Sequence, residues 1–216
     1  MGNLFNMDNA FFTIMGKLVD IFVISILWIL LCIPIVTAGP ATTALYYVMV
    51  KVIRRERGYL IREFFKCFKM NFKQGAIVGI ILTTIYVALY MDRKIVLTFE
   101  GNVGFVFFAI INAMSLIVFC VTIYIFPVLS RFKVSIKQLF KSSLFMAMKH
   151  LPSTVLMALI IIATLVGVYY MIPVVFVAPA LCCLACSMLM ERIFKKYMPE
   201  KSEDGEDTIL DEWYLE

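Results

Sequence analysis

The fold of this chain is decided by long uncharged stretches such as residues 103–129, which read VGFVFFAIINAMSLIVFCVTIYIFPVL. A helix rises about 1.5 Å per residue and the hydrocarbon core of a bilayer is about 30 Å thick, so about 20 apolar residues can cross it. The stretch exceeds that length, and a tilted helix accommodates the excess. We therefore predict a transmembrane helix here.

Four further stretches of the sequence are apolar enough to form transmembrane helices. They are residues 18–36, 75–91, 151–170 and 174–190. The last two are separated only by residues 171–173, so they could instead form a re-entrant hairpin enclosed by protein. The sequence thus predicts an all-α, polytopic membrane helical bundle with about five transmembrane helices, which occupies residues 1–192.

The composition supports a membrane protein and argues against a soluble domain. The chain has 216 residues, of which 62% are hydrophobic and 16% charged, and its mean hydropathy is +0.93. Ordinary globular domains are about 45–50% apolar and about 25% charged. The net charge of +5 could point to nucleic acid. We predict no nucleic-acid partner, because aromatic and basic side chains occupy opposite faces and are not interleaved.

Basic residues are distributed unevenly among the predicted connections. Residues 37–74, residues 130–150 and the C-terminal tail are rich in Lys and Arg, whereas the remaining connections and the N-terminal tail contain few. Because loops rich in Lys and Arg stay in the cytoplasm, five spans place the N-terminus outside and the C-terminus in the cytoplasm. The acidic residues 193–216 are predicted to form a disordered cytoplasmic tail.

The first basic connection has the pattern of an amphipathic helix lying in the membrane interface. Its apolar face consists of Ile61, Phe64, Phe65, Phe68 and Phe72. Its opposite face, the basic stripe, consists of Arg62, Lys66, Lys69 and Lys73. Residues 132–143 repeat this pattern. We expect both helices on the cytoplasmic side, with their basic faces against anionic headgroups of the bilayer and their aromatic faces toward acyl chains.

Residues 34–47, PIVTAGPATTALYY, combine two prolines with a glycine and several small residues. We expect Pro34, Gly39 and Pro40 to break the helix after the first span, and Thr42 or Thr43 to cap a new helix lying on the membrane. A broken helix lined with small residues can also mark a transport site, and this alternative remains open.

The sequence contains no constellation typical of an enzyme. No ionisable residue lies near the middle of a predicted span, where proton relays and substrate sites are usually found. His150 is the only histidine and has no nucleophile or carboxylate nearby in the sequence. Cys182 and Cys186 are one helical turn apart, but no third metal ligand accompanies them. We predict a non-enzymatic protein with no catalytic residue, cofactor, metal or disulfide.

Ten residues form the predicted functional or structural motif, selected as helix breakers, small residues, buried polar groups or membrane-edge residues. They are Pro34, Gly39, Pro40, Thr42, Thr43, Tyr46, Tyr47, Asn112, Pro127 and His150. Asn112 is the polar residue that would be most costly to leave unpaired within a span, so we expect it in a contact between helices.

Several short motifs resemble the YesL-type bacterial membrane proteins. They are residues 34–47, 58–59, 62, 64–68, 71–74, 126–129, 131–132 and 150–152. The resemblance extends to about Arg192. It implies a bacterial plasma membrane protein without catalytic residues. It also implies an accessory or regulatory role in carbohydrate uptake, because genes of such proteins often lie near sugar ABC uptake systems.

The resemblance suggests a sugar ABC transporter or its sensor as the partner. A homo-oligomer that acts as an autonomous small-solute transporter or channel is the alternative, since neutral sugars need no buried charge.

Overall fold

A computed structural model describes residues 10–99, 102–132 and 134–197. The predicted all-α class is confirmed, since the described residues form helices and contain no strand. The helices are α1 Ala10–Cys32, α2 Ile35–Val48 with a π-helical extension Met49–Arg54, α3 Leu60–Met70, α4 Phe72–Val96, α5 Asn102–Arg131, α6 Ile136–Lys149, α7 Leu151–Tyr170 and α8 Ala178–Phe194, with a 3-10 helix Ile172–Phe176 before α8.

Five helical stretches within the described residues are long and apolar enough to cross a membrane. They are Met15–Cys32, Ile35–Arg54, Phe72–Val96, Asn102–Arg131 and Leu151–Tyr170. The number of candidate spans agrees with the five predicted from the sequence, but the spans themselves are not all the same. Ile35–Arg54 is included although no span was predicted there, and residues 174–190 are divided between the 3-10 helix and α8.

The expectation that residues 34–47 lay a helix on the membrane surface is wrong. Only residues 33–34 interrupt the chain, and α2 then runs through Gly39 and Pro40 into the centre of the bundle. Its candidate span is 61% buried within the protein, against 28% or less for the other four. The small side chains of this stretch explain the difference, because they allow neighbouring helices to pack closely around α2.

The predicted capping roles of Thr42 and Thr43 are also wrong, because both residues lie inside α2. Their hydroxyls donate to carbonyls one turn earlier, Thr42 to Ala38 O at 2.8 Å and Thr43 to Gly39 O at 3.1 Å. The residue at the N-terminal cap position of α2 is Pro34.

The contact between α2 and α4 is made by glycines. A Cβ on Gly39 would overlap the carbonyl oxygen of Gly75 and lie 3.4 Å from Gly79 Cα. A Cβ on Gly75 would lie 2.9 Å from Pro40 Cα, closer than real Cβ atoms approach another backbone. Gly75 and Gly79 are one turn apart on α4, the spacing that lets membrane helices approach closely. The three glycines therefore set the distance between α2 and α4.

We expect Gly75→Ala to lower the thermal unfolding temperature of the detergent-solubilised protein. Overpacking of this kind costs about 1–3 kcal/mol, because backbone atoms must move. Gly167→Ala in α7 is the matched control, since its Cβ would meet nothing within 4 Å. Alanine also favours helix over glycine, so the control should be neutral or stabilising. Equal unfolding temperatures for the two variants would contradict the close contact.

The long helices pair as three antiparallel hairpins, α1 with α2, α4 with α5, and α7 with α8. Contacts join the two open ends of each hairpin. Lys17 pairs with Glu56, and Gln74 Nε2 donates to Val134 O at 3.4 Å. The third contact joins His150 Nε2 and the Tyr197 hydroxyl at 3.1 Å.

The open ends of the hairpins also contact one another, so they lie at the same end of the bundle. Arg54 Nη1 donates to Ser187 O at 3.1 Å, which joins the first hairpin to the third. Arg131 in α5 pairs with Glu191 in α8, which joins the second to the third. We call this end of the bundle the basic end, because every Lys and Arg among the described residues except Arg93 and Lys94 lies in the segments that meet there.

The start of α1 and the end of α8 lie at the same end of the bundle. Lys17 near the start of α1 and Glu191 near the end of α8 both lie at the basic end. The physical reason is α2. Residues 37–74 were treated as a single connection, whereas residues 35–54 return across the bundle as a helix.

The short helices α3 and α6 lie at the basic end. The apolar face of α3 is only partly directed outward, since Phe64 is completely buried and Ile61 is 54% exposed. The basic stripe is exposed at all four positions. α6 begins with a capping box, in which Ser135 and Gln138 each bond the backbone of the other. Of the predicted disordered tail, α8 includes residues 193–194, and residues 198–216 lie outside the described residues.

Candidate functional site

A buried ionic cluster lies at the basic end, around the carboxylate of Glu191. This side chain accepts a hydrogen bond from the Tyr46 hydroxyl at 2.9 Å and forms an ion pair with Arg131. Arg55 approaches the same oxygen as Arg131, with Nη2 3.9 Å from Oε2. Tyr46, Arg131 and Glu191 are only 2%, 6% and 6% exposed. The cluster thus ties α2, α5 and α8 together through one carboxylate.

The π-helical extension of α2 positions part of this cluster. Residues 49–54 wind more widely than an α-helix, and the extension ends in a turn in which Glu56 has a φ of 55°. Through this segment Arg54 reaches the carbonyl of Ser187, and Arg55 reaches Glu191. π-helical segments are uncommon and frequently occur at functional sites. Here the segment directs the guanidinium groups of Arg54 and Arg55 toward α8.

A second group of charges joins α2 to α3. Lys51 Nζ lies 2.9 Å from Glu63 Oε2 and donates to the Tyr47 hydroxyl at 3.0 Å. Both charged side chains are nearly buried, at 10% and 13% exposure. Buried charges are tolerated when they are paired and hydrogen-bonded, and removing one partner leaves the other uncompensated. Lys51 and Glu63 therefore fix α3 against the end of α2.

Sequence reasoning placed Tyr46 and Tyr47 in the motif but missed their charged partners. Glu191 was assigned to a membrane edge, and Lys51 and Arg131 were counted as loop charges. One signal was available: Glu191 shares a helix face with Ser187 and Phe194, where an unpaired carboxylate would be costly.

A half-open cavity of about 450 Å³ lies next to the cluster, between α1, α2, α5, α7 and α8. Of the predicted residues, Thr42, Tyr46 and Pro127 line it. The ring of Tyr46 faces this cavity while its hydroxyl reaches Glu191, so one side chain connects the two features. The other lining residues used below are Trp28, Thr122, Thr164, Leu165 and Ala178, together with three cysteines, Cys182, Cys183 and Cys186.

The polar side chains of the cavity are already hydrogen-bonded within the protein. Trp28 Nε1 donates to Thr42 Oγ1 at 3.2 Å, and Thr42 in turn donates to Ala38 O. The Thr122 and Thr164 hydroxyls donate to carbonyls of their own helices at 2.8 and 2.7 Å. The cavity is consequently an apolar space, because its threonine hydroxyls already donate their protons to backbone carbonyls.

The remaining predicted residues lie apart from the cavity. Gly39, Pro40 and Thr43 are at or beside the contact between α2 and α4, and Pro34 is in the turn before α2. Asn112 donates from Nδ2 to Phe108 O of its own helix at 2.7 Å, which is not the expected contact between helices.

His150 lies at the junction of α6 and α7, where its Nε2 and the Tyr197 hydroxyl form a hydrogen bond. Desolvation lowers the pKa of this imidazole below its usual value of 6.5, and the nearby positive charges of Lys196 and Lys149 lower it further. The neutral form is thereby favoured. Among the described residues no three His, Cys, Asp or Glu side chains gather in a way that could hold a metal ion.

Comparisons with known proteins found one family and one relative that are similar to this chain. Residues 21–93, which run from α1 into α4, match the family described as "Protein of unknown function, DUF624". The chain is 31% identical over 139 residues to "Uncharacterized protein YesL" of Bacillus subtilis (strain 168), an alignment that covers 62% of this chain and 65% of YesL.

The alignment therefore spans slightly less than two thirds of that relative. No solved structure matches the chain. The DUF624 match includes Tyr46, Tyr47, Lys51, Arg55 and Glu63. The predicted resemblance to the YesL-type proteins is thereby confirmed.

Proposed function

We propose that this chain is a non-enzymatic, multi-pass membrane protein that acts as an accessory or regulatory component beside a carbohydrate uptake system. The observation that carries the proposal is the contrast between its interior and its surface. In the ionic cluster and the cavity, polar groups are bonded to other groups of the chain. The basic stripe, which lies on α3 and the first turn of α4, is exposed. Such a molecule is suited to contact a partner with its surface.

The same contrast does not favour an autonomous sugar transporter. Ligand sites use a few polar groups placed to bind the ligand, and a sugar needs many donors and acceptors. The hydroxyls in the cavity already donate to backbone carbonyls. The link to carbohydrate uptake itself rests on the YesL-type resemblance.

We place the protein in the bacterial plasma membrane with the basic end in the cytoplasm. Segments rich in Lys and Arg are retained on that side. Because the start of α1 and the end of α8 are both at the basic end, both helices then begin or end on the cytoplasmic side. The exposed basic stripe would face anionic headgroups at the cytoplasmic surface, where each charge contributes about 1 kcal/mol.

The proposal is tested by identifying what the protein contacts in its own membrane. A chain tagged after Glu216 is expressed at its natural level and crosslinked gently in native membranes, and the captured proteins are identified. We expect a sugar permease or its ATPase to be recovered well above unrelated membrane proteins of similar abundance.

A neutralised stripe carrying Arg62→Gln, Lys66→Gln, Lys69→Gln and Lys73→Gln tests the surface involved. Arg93→Gln with Lys94→Gln is its matched control, because these two residues lie away from the basic end. The first variant should lose the partner and the second should retain it. Recovery of this chain alone, or only of copies of itself, would contradict the accessory role. Sugar flux into liposomes that contain only this protein would support the transporter instead.

A further inference from the structure

We propose that the cavity between α5, α7 and α8 binds one acyl chain of a membrane phospholipid. The site is separate from the basic stripe, and the inference does not depend on an accessory role. Its occupant is identified by the size, chemistry and position of the cavity.

The chemistry of the lining selects hydrocarbon. The polar atoms of Trp28, Thr42, Thr122 and Thr164 are bonded to other groups of the chain. A polar ligand would therefore lose its own hydrogen bonds with water and find few in return. Water is excluded for the same reason, since apolar cavities stay dry. A saturated chain has no hydrogen bonds to lose.

The size of the cavity favours a chain over a helix. Its volume of about 450 Å³ lies within the range of about 300–1,000 Å³ that is usual for ligand pockets. A partner helix is about 10–12 Å across with a pitch of 5.4 Å, so a single turn would take up roughly this volume. A longer helix would have to separate α5 from α7, whereas one acyl chain fits without such a movement.

The position of the cavity provides the source of the chain. It lies between stretches that are apolar enough to cross a membrane, so its surroundings are lipid. α5 and α7 are joined by a hydrogen bond of 2.8 Å between the Tyr124 and Thr154 hydroxyls, and α7 lines the cavity farther from the basic end, from Ile161 to Val168. Leu165 at the cavity is 64% exposed. An acyl chain can therefore enter from the bilayer between α5 and α7.

Trp28 provides a built-in reporter, because it lines the cavity and the chain has only two tryptophans. With Trp213→Phe as the parent, the protein is reconstituted in nanodiscs of ordinary phospholipid containing a small, increasing fraction of phospholipid brominated along its acyl chains. Bromine quenches tryptophan only at close range. We expect quenching of Trp28 to saturate at a low fraction of brominated lipid.

Filling the cavity should remove this saturable component. Thr164→Phe should reduce it several-fold, and Ala178→Leu provides a second filling variant in case the first does not fold. Leu159→Phe is the matched control, because Leu159 is 57% exposed and does not line the cavity. Helical circular dichroism and a single gel-filtration peak establish folding.

The proposal would be overturned by quenching that rises in proportion to the brominated fraction and is the same in parent and filled variants. That result would mean contact with bulk lipid only. It would equally be overturned by unquenched Trp28 in particles whose mass corresponds to two protein chains, because a second copy would then cover the cavity.

Discussion

An epitope tag fused before Met1 should be protected from added protease in intact spheroplasts, as should a tag fused after Glu216. The reason is the first hairpin, in which the start of α1 lies beside the turn that follows α2, through the contact of Lys17 with Glu56. The start of α1 and the end of α8 share the basic end, which is expected in the cytoplasm. Immunoblots of both tags, before and after permeabilisation, measure this directly.

The turn between α1 and α2 should give the opposite result. A cysteine introduced as Ile33→Cys lies at a residue that is 75% exposed, and a membrane-impermeant maleimide should label it in intact cells. Lys69→Cys in the basic stripe is the control and should react only after permeabilisation. The six native cysteines are buried or half-buried, and the parent chain gives their background. If the protease digests only the N-terminal tag, the result would contradict this topology. It would instead support the topology predicted from the sequence, in which the two ends lie on opposite sides of the membrane.

The comparison of α2 with α5 shows which helices the sequence can predict. α5 has the highest mean hydropathy of the five candidate spans, 2.5, and only 6% of its most apolar window is buried in the protein. Most of its surface is left for lipid to cover, so its high hydropathy alone identifies it as a span. α2 has the lowest mean hydropathy, 1.2, because protein surrounds it and small residues are needed for close packing. Hydropathy therefore missed the helix at the centre of the bundle.

Residues 174–190 illustrate a different limit. They form a continuous apolar run in the sequence, but the structure divides them between a 3-10 helix that includes Pro173 and an α-helix that begins at Ala178. Pro179 lies at the start of α8, where a missing N–H costs little. Hydropathy does not distinguish one long helix from two short elements. Pro173 and Pro179, which lie at the starts of the two elements, indicate the division better.

The ionic cluster could not be predicted because its members are far apart in the chain. Tyr46 and Glu191 are separated by 145 residues. Each charge alone is typical of a loop or a membrane edge, and only the packing of α2, α5 and α8 brings them together. Tyr46 and Tyr47, which belong to the predicted motif, stand out locally as aromatic residues next to a basic segment. Their function as hydrogen-bond partners of buried charges depends on the tertiary fold.

Replacing Glu191 with Leu should destabilise the protein by about 3–5 kcal/mol, the usual cost of removing one partner from a buried ion pair. The change leaves Arg131, which is only 6% exposed, without its carboxylate and removes the acceptor of the Tyr46 hydroxyl. Urea titration of the protein in mixed micelles, followed by circular dichroism, measures the loss. Glu56→Gln is the control, because its contact with Lys17 is largely exposed and such pairs contribute little.

A double variant separates the ion pair from simple packing. Arg131→Met added to Glu191→Leu removes both buried charges, and replacing a buried pair with apolar residues of similar volume is often neutral. We expect the double variant to recover most of the stability lost in Glu191→Leu, since Arg55 is 27% exposed and can turn toward water. If the two substitutions instead add, the carboxylate acts on stability independently of Arg131, and the cluster is not the clamp that joins α5 to α8.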